Sequence, residues 1–146
     1  MNIFEIFTSI QGESSYAGYP CTFIRFSGCN LRCSYCDTAY AFESGIVLSE
    51  DEIINEALLT GVDLVELTGG EPLLQDGVLH LVERIINEGH KLLVETNGSM
   101  SIKDIDPRAT IIMDIKTPGS GMSEEMDLLN LDFLKPSDEL KFVLVD

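Results

Sequence analysis

No apolar run in this 146-residue chain is long enough to span a bilayer. Nor does its amino terminus, MNIFEIFTSIQGE, join a basic segment to an apolar one, so no secretory signal is read there. Basic residues are scarce: 9 Lys and Arg stand against 25 Asp and Glu, giving a formal net charge of −16. Such a surface repels phosphate backbones and anionic lipid, so neither nucleic acid nor a membrane is expected as a partner. The acidic residues are spread through SEDEIINE, DGVLHLVERIINE and SEEMD rather than massed in a tail, which suits solvated helix faces. Only four cysteines occur, and without a secretory signal they do not suggest a disulfide framework. No repeat, linker or low-complexity segment divides the chain. The expectation is one cytoplasmic domain, 45% apolar, with enough residues for a sizeable core.

What is present is an alternation of β-rich and helical stretches. TFIRF (22–26) reads as a first strand, VDLVELTGG as a second, KLLVETNG as a third, ATIIMDIKTPG as a fourth and ELKFVLVD (139–146) as a fifth. Ser49 and Glu52 stand in capping-box spacing ahead of Ile53, Ile54, Ala57 and Leu58 at helical period, with Gly61 as the stop. A second helix is expected with Asp76 as its cap, Leu79, Val82, Ile85 and Ile86 as its apolar stripe, and Gly89 as its end. SEEMDLLNLDFL reads as a third. The strands are nearly continuous apolar runs, as in a parallel sheet covered by helices. The fold class is therefore α/β, with parallel strands joined by helical crossovers. Four strands end in loops rich in Gly, Thr, Asn, Asp, Lys and Cys, where α/β barrels carry their active sites. The fifth strand has no covering helix after it, so the chain looks truncated there, or a partner covers the edge.

SGCNLRCSYCDT carries Cys29, Cys33 and Cys36 in Cys-x3-Cys-x2-Cys spacing. Zinc favours four-ligand closure from two short pairs, and no second pair exists. Cys21, inside PCTFIRF, reads as a buried core residue, His80 as a helix-face histidine and His90 as a surface loop residue. A cubane iron–sulfur cluster normally takes four thiolates, so three leave one iron open to an exchangeable ligand. Gly69 and Gly70 of TGGEP would let the backbone approach a ligand closely; a tight strand-to-helix turn, with Pro72 starting the next segment, is the alternative.

The cysteine loop after the first strand, followed by TGGEP after the second, resembles the radical S-adenosylmethionine superfamily. That resemblance implies a [4Fe-4S] cluster whose free iron binds S-adenosylmethionine, with reductive cleavage to a 5'-deoxyadenosyl radical that abstracts hydrogen from a substrate. FTSIQGES (7–14), FIRFSGCNLRCSYCDT (23–38), TGGEPLLQ (68–75), ETNG (95–98), MDIKTP (113–118) and LKPSDELKFVLVD (134–146) are similar to the 7-carboxy-7-deazaguanine synthase family. The resemblance covers almost the whole chain. It implies a carbon–nitrogen lyase of queuosine and 7-deazapurine biosynthesis, acting on 6-carboxy-5,6,7,8-tetrahydropterin with loss of ammonia. Also implied are Mg2+, a homodimer, an electron donor such as flavodoxin or ferredoxin, and a partial (βα) barrel. On this reading residues 1–146 form a single radical S-adenosylmethionine domain whose carboxyl-terminal portion is missing.

The same resemblance implies residue roles. Cys29, Cys33 and Cys36 would hold the cluster and Thr38 the magnesium, a modest ligand needing substrate oxygens and waters to complete an octahedron. Tyr35, Cys36, Asp37, Gly70, Asp114, Ile115 and Lys116 match cofactor contacts, while Ile10, Gln11, Gly12, Arg25 and Thr68 match substrate contacts. Chemistry alone leaves alternatives open. Gln11 has donors and acceptors for a pterin edge but could sit in a turn before the first strand. Arg25 could grip a carboxylate through two parallel hydrogen bonds or serve an internal salt bridge. The threonines suit turns, Asp37 a cap, Tyr35 loop packing and Lys116 the surface. QGES stands where many family members have QGEG. A glycyl-radical activating enzyme and a noncatalytic iron–sulfur module remain competing readings.

Overall fold

The computed structural model describes residues 1–43 and 45–144. Among the described residues, seven strands form one open sheet: β1 (Asn2–Ile10), β2 (Pro20–Phe26), β3 (Ile46–Val47), β4 (Leu64–Gly69), β5 (Lys91–Thr96), β6 (Thr110–Asp114) and β7 (Glu139–Lys141). Their spatial order is β3-β1-β2-β4-β5-β6-β7. The five strands expected from sequence are all present, and β2-β4-β5-β6-β7 pair in parallel throughout. The last is shorter than expected; Val145 and Asp146 lie outside the described residues.

One edge differs from the all-parallel expectation. The segment read as preceding the first strand is itself β1, antiparallel to both β2 and β3. A shift in the β1–β2 register between Ile3 and Glu5 breaks the alternation that would have marked β1 in the sequence.

Helix α1 (Glu50–Leu58) starts as anticipated. The Ser49 hydroxyl accepts from the Glu52 backbone N–H at 3.3 Å, and the Ser49 N–H donates back to the Glu52 carboxylate at 2.8 Å. Helix α2 (Val78–Asn87) differs in phase: Val78, Leu81, Val82 and Ile85 are buried, whereas Leu79 is exposed. Its cap is Gly77 in the left-handed conformation, not Asp76. The third anticipated helix is two short 3-10 turns, Ser123–Glu125 and Leu128–Phe133. Local polar bonds override its helical pattern. Asp127 caps the N–H of Leu129, and the fully buried Asn130 bonds Ile102 N–H, Gly98 C=O and Met100 C=O at 2.8–3.1 Å.

Strand alternation sorts side chains onto two faces. Ile24, Phe26, Val65, Leu67, Leu92, Val94, Ile111 and Met113 pack with the apolar faces of α1 and α2 into the main core. The other face carries a smaller apolar plug of Cys21, Phe23, Leu64, Leu93 and Ile112, flanked by Phe7 and Tyr16. Farther toward the carboxyl ends, the same alternation places Arg25, Glu66, Thr68, Glu95, Asp114 and Lys141 above that plug. Among the described residues no helix is long and apolar enough to cross a membrane.

Candidate active site

A cleft of about 520 Å³ opens over the carboxyl ends of β2, β4, β5, β6 and β7. It collects Ile10, Gln11, Gly12, Arg25, Cys29, Cys33, Tyr35, Cys36, Asp37, Thr38, Thr68, Gly70, Asp114 and Lys116. Of the cofactor, substrate and metal contacts expected from sequence, Ile115 is the one outside this described wall. Its side chain packs against the main core, and its N–H bonds the Lys141 carbonyl at 2.8 Å.

The cysteine loop leaves β2 and forms one wall. Cys29, Cys33 and Cys36 are free and half-buried, and all three face the cleft. Cys29 Sγ accepts from the Leu31 N–H at 3.4 Å and the Asn97 amide at 3.6 Å; Cys36 Sγ lies 3.7 Å from the Thr38 hydroxyl. Burial pushes the Cys29 and Cys33 thiols up, and the Lys116 cation pulls Cys33 back toward the thiolate. Among the described residues no three His, Cys, Asp or Glu close around a single ion. Three thiols on one wall can each meet a different iron of a cubane. Cys21 is fully buried in the apolar plug with its thiol pushed up to about 12 by burial and the nearby Glu66; His80 pairs with Glu50 on α1, and His90 is half-buried with Nδ1 3.2 Å from the Val62 carbonyl. None of these three lines the cleft.

The paired glycines line the cleft and also have a packing use that was not anticipated. Gly70 N–H bonds the Phe26 carbonyl at 3.1 Å, and Glu71 N–H bonds the Gly28 carbonyl at 2.9 Å. A Cβ at Gly70 would overlap the Gly28 carbonyl oxygen and stand 3.0 Å from Cys29 Cβ; one at Gly69, whose φ is +127°, would overlap Phe26 backbone. The glycines therefore dock two loops against each other, which seats the cysteine loop. Beneath them Glu71, fully buried, accepts from Leu73 N–H, Thr96 Oγ1 and Asn97 N–H at 2.7–3.0 Å. This carboxyl fixes Asn97, which reaches Cys29.

Opposite the cysteines, Asp114 Oδ2 bonds Lys116 Nζ at 2.6 Å. Burial works to lower the Lys116 ammonium, but the Asp114 carboxylate outweighs it and raises it. Among the described residues, Asp114 Oδ1 and the Tyr35 hydroxyl are buried without a hydrogen-bond partner. Two orphaned polar atoms in a cleft wall mark places where a polar ligand would restore lost hydrogen bonds.

Arg25 makes the internal pair held open from sequence: Nε donates to Glu5 Oε1 at 2.9 Å, with the guanidinium 5.6 Å from the Phe7 ring centroid. Among the described residues no hydrogen bond reaches its two terminal nitrogens, so the fork remains available for an anion. Gln11 is buried and its amide is occupied, donating to Glu66 and accepting from the Glu13 N–H at 2.9 Å. Thr68 donates to Glu95 Oε2 at 2.8 Å.

Sequence reading passed over Glu66, Glu71, Glu95, Asn97 and Lys141. For Glu66, Glu95 and Lys141 the available signal was a charged residue inside an apolar strand, in VELTG, LVET and ELK. Such a charge is expensive unless a site uses it.

Residues 23–118 match the radical SAM superfamily. The chain is 47% identical to a 7-carboxy-7-deazaguanine synthase of Koribacter versatilis, covering all of this chain and 66% of that protein. It is 40% identical to one of Thermoplasma acidophilum, covering all of this chain and 71% of the relative. The solved structure of QueE from Escherichia coli superposes with a TM-score of 0.82 at 23% identity, over 99% of this chain and 72% of that one, a likeness of fold. The chain spans 61–66% of the length of the Koribacter, Chlorobaculum and Methanospirillum relatives. By its matched domain and these relatives, the chain belongs to the radical SAM superfamily and, within it, to the 7-carboxy-7-deazaguanine synthase family.

Proposed function

We propose that this chain supplies the cleft of a 7-carboxy-7-deazaguanine synthase, in which 6-carboxy-5,6,7,8-tetrahydropterin becomes 7-carboxy-7-deazaguanine with loss of ammonia. One observation carries the reading: three half-buried thiols, two orphaned buried polar atoms and the free fork of Arg25 open on the same cleft. Membership of the superfamily implies a [4Fe-4S] cluster and S-adenosylmethionine, and the residues present fit both. Cys29, Cys33 and Cys36 would each hold one iron, leaving the fourth for the sulfonium compound. Bound there, the pair supplies one-electron cleavage of the sulfonium and hydrogen abstraction from the substrate.

The chain's own residues bind and orient. The Tyr35 hydroxyl and Asp114 Oδ1 offer hydrogen bonds to S-adenosylmethionine beside Cys36, Asp37 and Gly70, with Lys116 held in place by Asp114. Ile115 would act through its backbone position alone. Arg25 takes the pterin carboxylate, while Ile10, Gln11, Gly12 and Thr68 border the ring. Thr38, beside Asp37, is the proposed Mg2+ contact, completed by substrate oxygens and waters. A flavodoxin or ferredoxin would deliver the electron. A cytoplasmic homodimer is proposed, as the family resemblance implies. The domain is proposed to occupy 1–146 as a single unit.

The test is anaerobic incubation of the reconstituted chain with the tetrahydropterin, S-adenosylmethionine, reductant and Mg2+, with a longer relative in parallel. Mass-spectrometric detection of the deazapurine, with ammonia released, is the expected result. Cofactor cleavage with the pterin unchanged in both proteins overturns the substrate assignment and returns attention to a protein substrate.

A further inference from the structure

The cleft floor holds two carboxyl groups from neighbouring parallel strands, Glu66 on β4 and Glu95 on β5, on the same face of the sheet. Two carboxylates so placed repel, and the pair is relieved when one of them keeps a proton. Their partners decide which. Glu95 receives the Lys141 ammonium at 2.8 Å on one oxygen and the Thr68 hydroxyl at 2.8 Å on the other, both of which favour an anion. Glu66 is 2% exposed and receives one neutral donor, the Gln11 amide, with no cation against it among the described residues.

The groups facing Glu66 are Cys21 on β2, Gln11 and Glu13 from the connection after β1, Glu95 on β5 and Lys141 on β7. Lys141 also pairs with Glu13, so its charge is shared between two carboxylates other than Glu66. Arg25 lines the same cleft but is paired with Glu5.

We propose that Glu66 is a positioning residue that works as a neutral acid. It keeps the proton of the Glu66–Glu95 pair, holds the NH2 end of the Gln11 amide against the cleft floor, and leaves Glu95 as the ionised member of the pair, bound to Lys141. The Gln11 oxygen is thereby turned to the Glu13 N–H, 2.9 Å away, which fixes the amide in one of its two orientations. Burial and then the Glu95 charge push the Glu66 carboxyl up to about 8, in keeping with this assignment. Ionisation of Glu66 would bring two anions together beneath Gln11 and disorder the wall that borders the ligand.

The protonation stands on the geometry alone; its consequence for the pterin rests on the synthase reading. Infrared difference spectra of the chain, titrated from about pH 6 to about pH 9.5, read the proton directly. The expected result is a carboxylic-acid carbonyl band at neutral pH that fades near about pH 8, is absent in Glu66→Gln, and fades at lower pH in Glu95→Gln, where the neighbouring charge is gone. No wild-type band, or a band that survives Glu66→Gln, overturns the proposal. In turnover, the wild-type KM for the tetrahydropterin rises about tenfold above about pH 8 with S-adenosylmethionine cleavage unchanged, and Glu66→Gln flattens that rise. The same alkaline rise in Glu66→Gln also overturns it. Failure of both proteins to turn over the pterin strikes the synthase reading, and the infrared band still decides the role of Glu66.

Discussion

Each cleft residue is set by its immediate neighbours. Cys29, Cys33 and Cys36 share a wall, whereas Cys21 fills the apolar plug. Replacing any of the three by Ala is expected to abolish iron loading after anaerobic reconstitution, measured by iron content and absorbance. Cys21→Ala should keep the iron and lose about 1–2 kcal/mol of stability in denaturant unfolding, as ordinary core truncations do. Equal iron loss in all four variants would refute the ligand assignment. Gly70 carries a heavier constraint than either orphaned polar atom. Gly70→Ala puts a methyl group into the Gly28 carbonyl, a backbone atom that cannot turn aside. The expected loss is about 3 kcal/mol, the upper end for overpacking, together with weaker iron retention because Cys29 is displaced. A variant with unchanged stability and iron content would show that the two loops are not docked through this glycine.

At the scale of elements, local hydrogen bonds decide where regular structure begins and fails. The Ser49–Glu52 capping box starts α1, and three acidic residues in its first turn meet the positive end of the helix dipole. Ser49→Ala should cost about 1 kcal/mol, read from the urea midpoint at unchanged slope. The 3-10 segment Leu128–Phe133 is held differently: it leaves Leu128, Leu129, Leu131 and Phe133 exposed and buries Asn130. Asn130→Leu would strand Ile102 N–H and the Gly98 and Met100 carbonyls. A loss of about 3 kcal/mol is expected from these unsatisfied groups, with Asn130→Asp intermediate because one carboxylate oxygen still serves Ile102. A stabilised Asn130→Leu variant would mean that the segment is held by its leucines.

For the whole molecule, charge is the dominant background. A net charge of −16 repels itself across a small domain, and salt screens that repulsion. Melting temperature should therefore rise as salt increases from about 10 mM to about 0.3 M, a range over which the screening length falls several-fold. No rise would show that the exposed ion pairs, such as those of Arg84 with Glu50 and Asp51, offset the net repulsion. The pH dependence has a worked sign. The folded state holds the Glu66 proton to about pH 8, whereas an unfolded glutamate releases it near 4.5. The folded state thus binds more protons between these values, and this group's contribution to stability is full below about 4.5 and lost as pH rises through about 8. Glu66→Gln should remove that part of the alkaline decline, as seen by thermal melts at matched salt.

The five parallel strands, the start of α1, the buried Cys21 and the loops that bear the cleft were all legible in the order of the residues. These rest on short-range rules: apolar runs, a capping box, and cysteine spacing. The sequence left Gln11 and Arg25 open between site and structure, and only the tertiary fold showed that each lines the cleft while bonding a neighbouring carboxyl, Glu66 for Gln11 and Glu5 for Arg25. The same fold decided that β1 is a strand despite its register shift, that SEEMDLLNLDFL is not a helix, and that the glycines of TGGEP dock a loop. It also brought Glu66, Glu95 and Lys141 into one cluster from strands separated by as many as 75 positions, as 141 − 66 gives. The physical reason is the same in each case: hydrogen bonds and charges act over a few ångströms in space, whatever the distance along the chain, so their outcome waits on which strands become neighbours.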